Sequence, residues 1–321
     1  MNELRAQPIR LALAALITAG FIVSVSGQGQ EQKPLTPTFK TKVDLVSVTA
    51  VVRDGKGRVV RNLTREDFTV YEKGTPRKIV DFKASDQGPI SLAVLFDVSG
   101  SMRGSPNMAA GKKAVDHILS WVDPKADEFA LFTFDKDLRQ ETEFTSDPEK
   151  IHAALDKMTA MGLTSLYDAI ADTAKKLEHR PSPRRAVVVI TDGVDTASTL
   201  TAPQVSGLAS AIDVPVYVIA VVSPLDHPGG DYAVPSAMST PVATNLSNLA
   251  TWTGGEMLVV SAPADASLAA RELITELRHQ YLIAFESSKN PGWYALDVKT
   301  RRRDLTVRAR SGYFANQRPF S

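Results

Sequence analysis

The chain has 321 residues, 43% of them apolar and 23% charged, with 37 basic side chains against 36 acidic ones and no cysteine. Such a length holds one large domain with a smaller companion. A formal net charge of +1 gives no global field to draw nucleic acid or an acidic membrane, and the lack of cysteine excludes disulfides and a lipid-attached cysteine terminus.

Residues 1–27 read as an export signal: Arg5 and Arg10 precede an apolar stretch over 11–25, and Val25-Ser26-Gly27 offers small residues for cleavage. The stretch is short for a spanning helix, which needs roughly 20 residues, so the expectation is a periplasmic or extracellular protein with no span after cleavage. An uncleaved anchor is the alternative. Residues 28–41, with Pro34 and Pro37, read as a linker. From Val43 the pattern alternates through Leu45, Val46, Val48, Val51 and Val52. Asp54-Gly55-Lys56-Gly57 then marks a hairpin tip, Val59-Val60 and residues 68–70 continue the strands, and Lys73-Gly74-Thr75-Pro76 marks a second turn. Residues 42–88 are therefore expected to be all-β.

From residue 89 the character changes. Short, fully apolar runs at 92–96, 129–134, 186–190, 216–222 and 257–260 have the composition of strands covered on both faces. Helical stripes lie between them: Ala110, Ala114, Ile118 and Trp121; Leu166, Ala169, Ile170 and Leu177; then 204–212, 246–252 and 268–277. This alternation predicts a doubly wound, mostly parallel sheet over 89–279, with 139–144 pairing antiparallel at an edge. Residues 280–316 return to β character, with strands expected at 281–285, 293–298 and 305–309, followed by a tail at 317–321. Neither 42–88 nor 280–316 has enough strands to bury two faces alone. The two are expected to form one small β-sandwich into which the α/β domain is inserted. The basic run of Lys299, Arg301, Arg302, Arg303, Arg308 and Arg310 alternates with Leu305, Val307 and Ala309, and reads as the solvated face of a strand.

The chemistry-bearing residues follow the buried strands. Asp97, Ser99 and Ser101 come directly after the first of them. Thr164 precedes a helix in Gly162-Leu163-Thr164-Ser165-Leu166, and Asp192 follows 187–190 in Thr191-Asp192-Gly193. In an α/β sheet, loops at the carboxyl ends of strands surround the ligand crevice. Two carboxylates and three hydroxyls, without His or Cys, form a hard-oxygen set suited to Mg2+, Ca2+ or Mn2+ rather than zinc. On this reading Ser99, Ser101 and Thr164 bind the ion directly. Asp97 and Asp192 accept hydrogen bonds from its waters or bind in another state.

Asp-x-Ser-x-Ser, then Gly-x-Thr-Ser-Leu, then Thr-Asp-Gly, each in this structural context, resembles the metal-ion-dependent adhesion site of von Willebrand factor A domains. The resemblance covers roughly 89–279. The flanks, in Val51-Val52-Arg53-Asp54-Gly55-Lys56-Gly57, Leu63-Thr64-Arg65-Glu66-Asp67-Phe68 and Arg308-Ala309-Arg310-Ser311-Gly312-Tyr313-Phe314, resemble a group of exported A-domain-related proteins known chiefly from Acidobacteria. The resemblance implies a non-enzymatic adhesion or binding protein whose protein partner supplies a carboxylate to the metal, with no nucleic acid involved. The rival within this reading is an envelope scaffold whose metal only stabilises the fold.

Enzymatic readings fare worse. A dehalogenase-type phosphotransferase wants a second carboxylate where Ser99 stands, and no Gly-x-Ser-x-Gly elbow is present for a serine hydrolase. His117, His152, His179, His227 and His279 fall mostly in expected helices. One further expectation concerns 223–244, much longer than the usual connection of about 2–6 residues and carrying Asp226, His227, Asp231 and Tyr232. It is expected to border the metal face and set partner choice.

Overall fold

The structure, a computed structural model, describes residues 45–84, 88–103, 106–160, 162–193, 195–222, 241–287 and 290–315. The expected signal, linker and tail lie outside the described residues, as does 223–240 of the long connection. Among the described residues no helix is long and apolar enough to cross a membrane.

Chain order begins with β1 (Leu45–Asp54), β2 (Phe68–Glu72), β3 (Thr75–Arg77) and β4 (Ile79–Ala84). The Asp54–Gly57 tip closes on Gly57 N–H donating to the Asp54 carbonyl at 2.9 Å. Val59 makes an isolated bridge to Arg53, flanked by Val60 N–H donating to the Val52 carbonyl at 2.8 Å and Asp54 N–H to the Arg58 carbonyl at 2.9 Å, so the expected strand at Val59-Val60 is reduced to a bridge. Lys73 and Gly74 have φ of 48° and 77°. Two consecutive positive values match a tight turn whose twist suits a hairpin, and it joins β2 to β3.

The inserted segment contains β5 (Ile90–Asp97), α1 (Pro106–Ser120), β6 (Glu128–Phe134), β7 (Leu138–Gln140), α2 (Pro148–Lys157), α3 (Leu166–Leu177), β8 (Arg184–Thr191), α4 (Ala202–Ala211), β9 (Val216–Val221), α5 (Pro241–Thr253), β10 (Met257–Val260) and α6 (Pro263–Arg278). Its strands form one sheet in the order β10-β9-β8-β5-β6-β7, parallel except for β7 at the edge. Every residue of β5 is buried. Side chains alternate faces along a strand, and β5 accordingly feeds two cores. Leu92, Val94 and Phe96 pack with α1, α2 and α6, while Ala93 and Leu95 pack with α3, α4 and α5. This is the doubly wound arrangement, and it explains the unbroken apolar runs in the sequence.

Three local expectations need correction. Trp121 is 47% exposed, beyond the end of α1 and off the buried stripe of Ala114 and Ile118. The edge strand covers only Leu138–Gln140; Glu141 and Thr142 then both donate to the Leu131 carbonyl, which breaks the regular register. Helix α5 starts at Pro241, ahead of the expected stretch 246–252 and inside the long connection expected over 223–244. The short helix α2 also escaped the pattern reading. It buries only Ile151 and Leu155, and its start rests on the Asp147 carboxylate accepting from Glu149 N–H ahead of a first-turn proline.

The chain then returns as β11 (Tyr281–Glu286), β12 (Gly292–Thr300), β13 (Leu305–Ala309) and β14 (Gly312–Ala315). One four-stranded sheet has the order β13-β1-β11-β4 and the other β14-β12-β2-β3. Each takes two strands from before the insertion and two from after it. Their facing sides share a core that includes Val48, Phe68, Val70, Tyr281, Ile283, Phe285, Leu296 and Tyr313. The Tyr281 hydroxyl fastens the segment between β1 and β2, donating to the Val60 carbonyl at 2.8 Å and accepting from Leu63 N–H at 3.2 Å.

The C-terminal basic run divides in two. Arg301, Arg302 and Arg303 are exposed on the β12–β13 turn, as a solvated face should be. Arg308 and Arg310 are not. Arg308 donates to Glu256 at 2.6 Å, to the Gly254 carbonyl at 3.2 Å and to Glu276. Arg310 is only 5% exposed and donates to the carbonyls of Ser210 and Ser47. Arg53 of β1 completes the set, with Nε on Glu276 at 2.7 Å and Nη2 on Glu256 at 3.2 Å. These three arginines join the sandwich to the α/β segment.

Candidate metal site

Strand β5 ends in Asp97, and the loop beyond it carries Ser99 and Ser101. Asp97 is fully buried and both of its carboxylate oxygens are occupied: Oδ1 accepts from Ser99 N–H at 2.8 Å and Oδ2 from the Thr191 hydroxyl at 2.6 Å. The first bond turns the chain sharply so that the Ser99 and Ser101 hydroxyls lie 3.0 Å apart. The second ties β5 to the end of β8. Burial pushes the Asp97 carboxyl above its ordinary range; the bonds from Thr191 and Ser99 oppose this, and the neighbouring Asp192 adds to it. Among the described residues no cation is one of its hydrogen-bond partners.

The Thr164 loop is brought to the same place by backbone contacts. Gly100 N–H donates to the Gly162 carbonyl at 3.1 Å. Gly162 has φ of +103°, and a Cβ there would meet the Asp135 side chain at 3.3 Å, so glycine is the residue the turn accepts. Thr164 is 4% exposed, and its backbone is held at both ends. Its N–H donates to the Thr196 hydroxyl at 2.9 Å, and its carbonyl accepts from Thr196 and Ala197 N–H at 2.9 and 3.0 Å.

Asp192 lies half-buried just past β8. Its Oδ1 is buried and has no hydrogen-bond partner among the described residues. A buried acceptor without a donor costs about 1–3 kcal/mol, more when charged, and therefore asks for one.

The residues thus gathered are two carboxylates and three hydroxyls. Among the described residues no group of three His, Cys, Asp or Glu side chains is placed to hold a metal, so any ion here would depend on hydroxyl as well as carboxylate oxygens. That donor set fits a hard divalent cation. Asp97, with both oxygens engaged, is suited to orienting the serine loop. The free oxygen of Asp192 and the paired hydroxyls of Ser99 and Ser101 are suited to an incoming cation or its waters.

Four positioning residues were not singled out from the sequence: Thr191, Asp195, Thr196 and Ser198. The start of α3 is capped from outside the helix. Ser165 makes no side-chain cap; instead Asp195 accepts from Leu166 N–H at 2.8 Å, and the Ser198 hydroxyl accepts from Tyr167 and Asp168 N–H at 2.9 and 3.2 Å. Asp168 returns the favour, accepting from Thr199 and Leu200 N–H at 2.9 and 2.8 Å. The available signal was the density of Thr, Asp and Ser after β8, all residue types that cap helices. Which helix they cap is a tertiary fact.

Residues 92–194 match the sequence model of the von Willebrand factor type A domain. The chain carries a von Willebrand factor type A domain. The match spans the A domain from β5 to just beyond β8, so it takes in all five candidate residues and none of the sandwich. No curated protein matches the sequence. Among solved structures, a von Willebrand factor type A protein from Catenulispora acidiphila is 15% identical with a TM-score of 0.47, over 86% of this chain and 75% of its own. BatB from Bacteroides thetaiotaomicron is 18% identical with a TM-score of 0.46, over 59% of this chain and 98% of its own. Proximal thread matrix protein 1 from the mussel byssus, with zinc in its adhesion-site motif, is 20% identical with a TM-score of 0.46, over 64% of this chain and 50% of its own.

Proposed function

We propose that this chain is an exported, non-enzymatic binding protein. Its A domain would recognise a protein partner through a divalent cation held by Asp97, Ser99, Ser101, Thr164 and Asp192. The observation that carries the reading is the buried Oδ1 of Asp192, without a hydrogen-bond partner among the described residues, at the end of β8, while the loop after the adjacent strand β5 holds two serine hydroxyls 3.0 Å apart. When bound, the ion would supply an electrophilic centre for a carboxylate of the partner. Hydroxyls add no formal charge, so two carboxylates balance a divalent cation without quenching its pull on a further anion. Among the candidate ions magnesium is the leading one, with calcium and manganese as alternatives. The proposed boundaries are 42–88 and 280–316 for the sandwich and 89–279 for the A domain, behind a signal at 1–27 that directs the protein to the periplasm or the exterior.

A second reading, a scaffold whose ion only stabilises the fold, draws support from the burial of Asp97: a cation nearby would relieve a charge that the chain leaves uncompensated. The two readings part in one experiment. Immobilised protein is exposed to envelope extract with magnesium and with EDTA, alongside Asp192→Ala. Capture that needs both magnesium and Asp192 supports a binding protein. Magnesium-dependent thermal stabilisation with no magnesium-dependent capture supports the scaffold, and magnesium binding that survives Asp192→Ala removes the site itself.

A further inference from the structure

Where the first hairpin of the sandwich meets α6, a cleft of about 410 Å³ is lined by Arg53, Lys56, Arg58, Arg61, Arg271 and Glu272, together with Gly57, Val59 and Thr275. Five of its side chains are cationic and one is anionic, in a chain whose total charge is +1.

The five cations are not equivalent. Arg53 is fully engaged: its guanidinium donates to Glu276, to Glu256 and to the Gly57 carbonyl. Arg58 is held by Asp54 through Nε and Nη2 at 2.8 and 2.7 Å. Those two build walls. Lys56, Arg61 and Arg271 are exposed and make no ion pair or side-chain hydrogen bond among the described residues. Glu272 is the one lining carboxylate, and it lies toward Arg53, 3.9 Å from Nη2. With Arg308 and the surrounding carboxylates Asp54, Glu256 and Glu276 included, six cations face four anions. The imbalance is carried by Lys56, Arg61 and Arg271, of which Arg271 also acts electrostatically on Glu272.

We propose that this cleft binds a phosphomonoester. Three separate cations around one concavity need an anion with more than two acceptor oxygens and more than one charge. A phosphomonoester carries about −1.5 to −2 at pH 7 with three such oxygens, whereas a carboxylate offers two oxygens and one charge. Guanidinium forks such as those of Arg61 and Arg271 match phosphate oxygens in pairs, and the Lys56 ammonium adds a point charge. Ligand pockets span about 300–1,000 Å³, so the cleft accepts the phosphate together with part of what it is esterified to. The source is either a soluble phosphate ester or a lipid headgroup of the same chemistry.

The test uses the whole protein in EDTA, so that no ion in the A domain can contribute. Inorganic phosphate, glycerol 3-phosphate and phosphatidylcholine vesicles with and without phosphatidic acid are the probes. Saturable binding of inorganic phosphate is expected, and its titration should move the backbone amide resonances of residues 55–61 in the wild-type protein. The triple variant Lys56→Gln, Arg61→Gln, Arg271→Gln should bind at least about tenfold more weakly at an unchanged melting temperature. Retention on phosphatidic acid vesicles that inorganic phosphate reverses marks a headgroup source, and binding of glycerol 3-phosphate without vesicle retention marks a soluble one. No saturable binding of any probe overturns the proposal. So do shifts confined to other residues, or a folded triple variant that binds like the wild type.

Discussion

The two ends of the parallel sheet treat buried carboxylates in opposite ways. At the amino ends of β9 and β10, Glu276 is 1% exposed and faces Arg53 and Arg308, with Glu256 shared between the same two guanidiniums. Burial would lower the Arg308 pKa, but Glu276, Tyr217 and Glu256 outweigh it and the group is held above its ordinary value. At the carboxyl ends of β5 and β8, Asp97 is bonded to a hydroxyl and a backbone amide, and among the described residues Asp192 has a buried oxygen with no partner and no cation bonds to Asp97. Where the chain supplies its own counter-charge the charges serve as a joint. Where the described residues supply none, the proposed cation would have to provide it.

The largest way to break this contrast is to unbalance the joint. Glu276→Ala leaves two partly buried guanidiniums facing one carboxylate fewer, and the loss of one member of a buried pair costs about 3–5 kcal/mol. Urea unfolding should show an unfolding free energy lower by that amount, with a lower midpoint, and an unchanged midpoint would mean that the arginines are not a joint. At the other end, Asp192→Ala removes a buried oxygen without a partner among the described residues and should not lower stability in EDTA, while weakening magnesium or manganese binding by about 10–100-fold in titration calorimetry. A smaller change would dissolve the distinction between the two ends.

A third substitution sharpens the comparison by touching only the support of the site. Ser198→Ala removes the hydroxyl that caps α3 through Tyr167 and Asp168, and should cost about 1 kcal/mol. Equal thermal stability of variant and parent would place the cap elsewhere. The mildest test is a slope. Burial gives Asp97 a folded-state pKa above its unfolded one, so the metal-free folded protein holds that proton more tightly than the unfolded chain. Stability in EDTA should therefore fall as pH rises from the ordinary carboxylate range through the raised value, and the loss is complete above it. Asp97→Asn should flatten that slope, and magnesium should oppose the fall in the parent protein. A parent whose stability rises across the same window contradicts the sign.

Much of this was legible because buried parallel strands leave an unambiguous trace. The runs at β5, β6, β8 and β9 are apolar throughout since helices cover both faces. The five candidate residues each sit next to such a run or a helix start, so order along the chain sufficed to nominate them. Weakly patterned pieces were harder. Helix α2 buries two side chains, and β14 has four residues whose partner is β12; neither carries enough periodicity to announce itself. The arginines were misread for a different reason. Arg308 and Arg310 occupy a β pattern that looks solvated, and only the arrival of Glu256, Glu276 and the Ser210 and Ser47 carbonyls makes their burial tolerable.

Local sequence determined which segments are strands and helices and which loops carry oxygen ligands, because periodicity and turn chemistry act over a few residues. Tertiary structure alone decided three things: that strands from both ends of the chain interleave in two sheets, that Asp195 and Ser198 cap a helix about thirty residues earlier in the chain, and that, among the described residues, buried carboxylates meet guanidiniums at one end of the sheet and not at the other. Each depends on groups distant in sequence meeting in a medium that screens poorly, and distance in sequence carries no information about that encounter.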